Sequence, residues 1–126
     1  MKNYKISDLA RLVKLSLSPI VLYGAGTLGQ LAHYALKALD IPIYCFCDND
    51  KRKQGKLYCG VKTISPAELS KLPRDTHVFL CNNYLTLIAP QLEEMNFKNV
   101  YNCVELLRKT NFLKANLSIP LLTINR

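Results

Sequence analysis

Apolar residues in this chain fall into short unbroken runs that alternate with stretches in which they recur three and four positions apart. The runs lie at 19–23, 43–47, 61–64, 76–81 and 100–103. Runs this short and rich in Val, Ile, Tyr, Phe and Cys read as strands, and the most apolar of them as strands covered on both faces. Between them, Leu31, Ala32, Ala35, Leu36 and Leu39 form one helical stripe, Leu69 and Leu72 a second, and Leu85, Ile88, Leu92 and Met95 a third. Ile6, Leu9, Leu12 and Val13 mark a lead-in helix ahead of the first strand. Strand and helix alternating in this way predict a three-layer α/β fold: a doubly wound parallel sheet of about five strands in the order 3-2-1-4-5, with right-handed crossovers.

Turn chemistry punctuates the pattern. Asp40-Ile41-Pro42 ends the first long helix, because the residue before a proline disfavours helix. Gly60 breaks 56–64 into a hairpin-like lead to the third strand. Ser65-Pro66-Ala67-Glu68 has a serine cap, a first-turn proline and a glutamate placed to reach back to the cap. Pro90 should kink the following helix or delay its start. The chain divides into a helical lead-in over 1–18, a nucleotide-domain-sized body over 19–111, and a tail over 112–126. That tail carries Leu113, Leu117, Ile119, Leu121, Leu122 and Ile124, and is expected to dock on its own domain or on a second copy in a homodimer.

Chemistry concentrates where the first strand ends. Gly24-Ala25-Gly26-Thr27-Leu28-Gly29 is a G-x-G-x-x-G turn set between a strand and a helix. In such a turn Gly24 permits the sharp bend, Gly26 lets backbone approach a phosphate, and Gly29 lets helix and strand pack closely. Free N–H groups and the helix dipole favour an anion there. Asp48 ends the second strand about twenty residues further on, where a dinucleotide-binding unit places the carboxylate that accepts from ribose hydroxyls. Asn49 follows it. Asn82 and Asn83, after the fourth strand, face the same edge and would either bond a sugar hydroxyl or cap the next helix.

With 126 residues, the chain has room for one domain and none for a separate catalytic one. The net charge of +8 raises the question of nucleic acid, but no basic stripe interleaved with aromatics accompanies it, so no nucleic-acid partner is expected. Lys51, Arg52, Lys53, Lys56 and Lys62 cluster after the second strand, as a solvated loop or as cations near ligand phosphates. Five cysteines, an odd number without metal-ligand spacing, read as reduced core residues in a cytoplasmic protein, with no metal site. His77 lies at the strand end away from the glycine turn, and His33 lies off the helical stripe and faces solvent. No apolar stretch approaches a membrane span.

The glycine turn, Cys45-Phe46-Cys47-Asp48-Asn49-Asp50, Gly55, Gly60-Val61 and Ile64-Ser65-Pro66-Ala67-Glu68-Leu69 together resemble a Rossmann-like family. It comprises the NAD(P)- or nucleotide-sugar-binding domains at the N-termini of bacterial polysaccharide-biosynthesis nucleoside-diphosphate-sugar epimerases and dehydratases and of sugar acyltransferases. The resemblance spans roughly 19–110. It implies a small-molecule nucleotide ligand across the strand C-termini, with Gly24, Gly26, Thr27, Leu28 and Gly29 at the diphosphate and Asp48 at a ribose. NAD is favoured over NADP because Asp48 would repel a ribose phosphate, and a nucleotide sugar is an alternative ligand. The Tyr-x-x-x-Lys pair of short-chain dehydrogenases and an acyltransferase repeat are both missing. No catalytic residue is therefore assigned; Tyr84 or a strand-end cysteine would serve as acid or base in a small epimerase or dehydrogenase. An interaction or regulatory protein with an empty turn is the other reading.

Overall fold

The computed structural model describes residues 11–15, 17–81, 85–103 and 107. The first turns of the lead-in helix, Asn82, Asn83, Tyr84, most of the helix expected over 104–109 and the tail from 112 lie outside them. Six strands form one sheet: β1 (Ile20–Tyr23), β2 (Cys45–Cys47), β3 (Leu57–Tyr58), β4 (Val61–Ile64), β5 (His77–Leu80) and β6 (Asn99–Asn102). The helical segments are α1 (residues 11–15), α2 (Thr27–Ala38), α3 (Pro66–Leu69) and α4 (Leu85–Glu94). The strand order is β3-β4-β2-β1-β5-β6, parallel throughout except for the β3–β4 hairpin. Leaving out β3, this is the expected 3-2-1-4-5 order. The extra edge strand follows from Cys59-Gly60, whose φ angles of 54° and 75° make the two-residue turn that matches strand twist.

The sheet is covered on both sides because side chains alternate along each strand. On β1, Ile20 and Leu22 join Ala32, Ala35 and Leu36 of α2 in one core, while Val21 and Tyr23 join Leu69 of α3 and Ile88 and Leu92 of α4 in the other. Leu22 stands between Phe46 and Phe79 in register, so the central strand is dry on every side. The Ser65–Glu68 capping box forms as expected. Pro90 lies inside α4 rather than at its start. Among the described residues no helix is long and apolar enough to cross a membrane.

One expectation fails. His33 does not face solvent: its ring is half-buried beside Phe46 and Tyr34, with Nδ1 closed off from water, and burial followed by the Lys37 charge lowers its pKa. The first helix presents a wider buried arc than its aliphatic stripe because β2 places an aromatic ring against it. His77 is buried at the start of β5, where Nδ1 meets the Tyr101 hydroxyl at 3.0 Å.

Two of the turn's glycines answer to the fold itself. Gly24 has φ 119°, which side-chain-bearing residues rarely adopt. A Cβ on Gly29 would lie 1.8 Å from the Gly24 carbonyl oxygen, so α2 reaches β1 only without one. The collision is with backbone, and no rotamer relieves it. Gly29→Ala should therefore cost about 3 kcal/mol or more, whereas Gly26→Ala should cost about 1 kcal/mol or less, as read by chemical denaturation.

Candidate functional site

The parallel strands end together above the Gly24–Gly29 turn, and their loops leave a cleft of about 520 Å³. It is lined by Gly24, Gly26, Thr27 and Leu28 from the turn, Asp48, Asn49, Asp50 and Lys53 from the loop after β2, and Tyr23, Cys81 and Ile88. Thus the sheet brings together most of the residues that the sequence singles out. Ala25 contributes backbone rather than lining, and Gly29 packs beneath the turn.

Gly26 is the N-cap of α2, with extended backbone (φ −93°, ψ −159°) and no side-chain cap, and the first helical turn holds no acid. The first N–H groups of a helix have no intrahelical acceptor, so the positive end of α2 opens toward the cleft. The space beside Gly26 is open too. Among the described residues a Cβ there would meet only the Lys53 Nζ, at 3.8 Å. Neither its backbone angles nor its packing among the described residues requires glycine at this position.

Asp48 holds the site's two loops together. Its Oδ2 accepts from the Ala25 N–H at 2.9 Å and its Oδ1 from the Asp50 N–H at 2.9 Å. Around it, the Gly24 N–H donates to the Cys47 carbonyl at 2.7 Å, and the Gln54 amide donates to the Asp48 carbonyl at 2.9 Å. Each carboxylate oxygen retains a second lone pair for a ligand, but both are already engaged with the protein. The sequence motif gives no hint of this inward role.

Asn49 is positioned from below. The Tyr23 hydroxyl donates to Asn49 Oδ1 at 2.6 Å, so Asn49 offers the cleft its amide N–H groups. Burial, then the nearby Cys47 and Asp48, pushes the Tyr23 phenol well above its usual range, which keeps it a donor. The strand-end thiols are equally quiet. Burial raises the Cys45 thiol to about 11 and pushes those of Cys47 and Cys81 well up, so none is a ready thiolate. All five cysteines are free, and among the described residues no His, Cys, Asp and Glu cluster could hold a metal ion. The described part of the cleft is built for polar binding, with groups that hold their protons.

Sequence reasoning missed one residue here and left another undistinguished. Tyr23 reads as one more strand residue, and only its place at the strand's end shows that its hydroxyl reaches the cleft. Lys53 is one of the five clustered cations that the sequence places near phosphates or in a solvated loop, and its closeness to Gly26 singles it out.

The bridging role of Asp48 has a measurable consequence. Asp48→Ala should destabilise the ligand-free protein by about 2–3 kcal/mol in denaturant melts, since it leaves two N–H groups without their charged acceptor. A carboxylate serving a ligand alone would leave stability unchanged or raised.

Solved structures share this fold. UDP-D-quinovosamine 4-dehydrogenase from Vibrio fischeri matches 73% of the chain, and 84% of its own, at 20% identity with a TM-score of 0.57. RSP in complex with β-NADH matches 76% of the chain at 20% identity with a TM-score of 0.54, and the match spans half of that protein. RSP described as a Rex-family repressor matches 93% of the chain and 68% of its own, at 16% identity with a TM-score of 0.53. At these identities the likeness establishes the fold, a Rossmann-type α/β domain. No curated protein matches the chain in sequence. A family profile does: over residues 16–100 the sequence fits the C2185-like N-terminal domain, and the chain belongs to that family.

Proposed function

We propose that this chain is a nucleotide-binding domain that holds the diphosphate of NAD, or of a nucleoside-diphosphate sugar, over the Gly24–Gly29 turn. The observation that carries the reading is Gly26. Its backbone is ordinary and the space beside it is open, so the missing side chain is explained by something that approaches from the cleft. A diphosphate fits that place, because it accepts from the N–H groups of Gly26, Thr27 and Leu28 and lies at the positive end of α2.

Asp48 and Asp50 put negative charge beside the loop where a ribose would lie, which favours NAD over NADP. Asn49 supplies donors to sugar hydroxyls or a base carbonyl. The similar structures support both ligand classes, since one is a UDP-sugar dehydrogenase and another holds β-NADH. We place the domain in nucleotide-sugar metabolism of surface polysaccharides, acting in the cytoplasm, where five free thiols persist. Asn82 and Asn83 would complete the sugar side, and the tail over 112–126 would join two copies.

Calorimetry with NAD, NADP and UDP-sugars tests the reading. The wild type should bind one of these ligands, with NAD tighter than NADP. Gly26→Val should lose that binding while its melting temperature stays within a few degrees of wild type. Unchanged affinity in a folded Gly26→Val protein would remove the turn from the binding site.

A further inference from the structure

Lys53 stands in an electrostatically awkward place. Its ammonium lies against Gly26, at the N-terminus of α2, where the helix dipole presents its positive end. Cations are favoured at the other end of a helix. The two neighbouring carboxylates are engaged elsewhere: Asp48 accepts from the Ala25 and Asp50 N–H groups, and Asp50 pairs with the Arg52 guanidinium at 3.0 Å. Among the described residues Lys53 forms no ion pair, although its charge, after the Arg52 contacts, helps to hold the Asp50 carboxyl below its usual range.

The position is nevertheless built. The Lys53 N–H donates to the Asp50 carbonyl at 2.9 Å, the Gln54 amide holds the Asp48 carbonyl, and the Gly55 N–H donates to the Thr63 carbonyl at 2.9 Å. Lys53 itself is half-buried, while Lys51, Arg52 and Lys56 around it are exposed. Two positive poles thus face one another across the wall of the cleft, held there by the loop's own hydrogen bonds. An anion between them turns mutual repulsion into attraction from both sides.

Resting on the nucleotide reading above, we infer that Lys53 is the counter-cation of the ligand's diphosphate, clamping it from the β2 loop while the α2 amides hold it from below. The ligand class this selects is one that carries a diphosphate at the turn. The nucleoside and whatever the diphosphate bears are read elsewhere in the cleft.

The test measures binding of ADP, UDP and inorganic pyrophosphate by calorimetry to wild type, Lys53→Met, Lys53→Arg and Lys51→Met. Lys53→Met should weaken the diphosphates about ten- to hundredfold and flatten their salt dependence. Lys53→Arg should recover most of the loss. Lys51→Met, which removes an equal charge from the exposed face, should stay within about twofold of wild type. The melting temperature of ligand-free Lys53→Met should stay within a few degrees of wild type, because the repulsion from the α2 terminus and the attraction to Asp50 are lost together. Equal losses in Lys53→Met and Lys51→Met would replace the clamp by the loop's general field and overturn the inference. Wild-type affinity in Lys53→Met, with Gly26→Val still defective, would overturn it and leave the nucleotide reading standing. If none of the three probes binds the wild type, the inference fails, and the titration with NAD, NADP and UDP-sugars decides the nucleotide reading by itself.

Discussion

The Asp48 carboxylate is the constraint on which the rest of the site depends. It joins the turn after β1 to the loop after β2 through one charge-assisted hydrogen bond, from the Ala25 N–H, and fixes the loop itself through a second, from the Asp50 N–H, each 2.9 Å long. Remove it and, among the described residues, the Gly24–Cys47 and Tyr23–Asn49 hydrogen bonds are left to hold turn and loop together. With it, Gly26, Asn49 and Lys53 keep fixed relative positions around one cleft. The same bonds set a limit on ligand recognition. An acid that already accepts from two backbone N–H groups can add a ribose hydroxyl only through its remaining lone pairs, so phosphate recognition has to carry more of the affinity.

Much of this was legible from the chain. The runs at 19–23, 43–47, 61–64, 76–81 and 100–103 became the five parallel strands in the expected order, because the central ones are apolar on both faces and the helical stripes between them impose crossovers. The serine cap at Ser65 and the packing role of Gly29 were equally readable, since both are local consequences of residue type. What was not legible depends on neighbours distant in sequence. His33 is drawn inward by the Phe46 ring, thirteen positions away and on another strand. Asp48 faces the turn because the Ala25 N–H lies within reach once β1 and β2 pair. No spacing rule distinguishes an acid that waits for a ribose from one that holds a loop.

Among the described residues of the cleft, burial holds the Tyr23 phenol and the Cys47 and Cys81 thiols in their protonated forms. Tyr23 and the strand-end thiols sit where burial disfavours their charged forms, and Tyr23 donates its hydrogen bond to Asn49. Among the described residues, the donors left to meet a ligand are backbone amides, the Thr27 hydroxyl, the Asn49 amide and the Lys53 ammonium. Each of these is a donor and two carboxylates border them, which is the electrostatic pattern suited to a phosphate flanked by hydroxyls.

Backbone-amide NMR during a titration with NAD and with UDP tests the central claim most directly, because it reports on the turn itself without a substitution. The account predicts that the ligand that binds moves the amide resonances of Gly26, Thr27 and Leu28 most, with Lys53 next, and leaves the hollow at the opposite sheet edge around Lys37, Ile41 and Val61 unmoved. Saturable shifts centred on that opposite edge, with the turn silent, would contradict it.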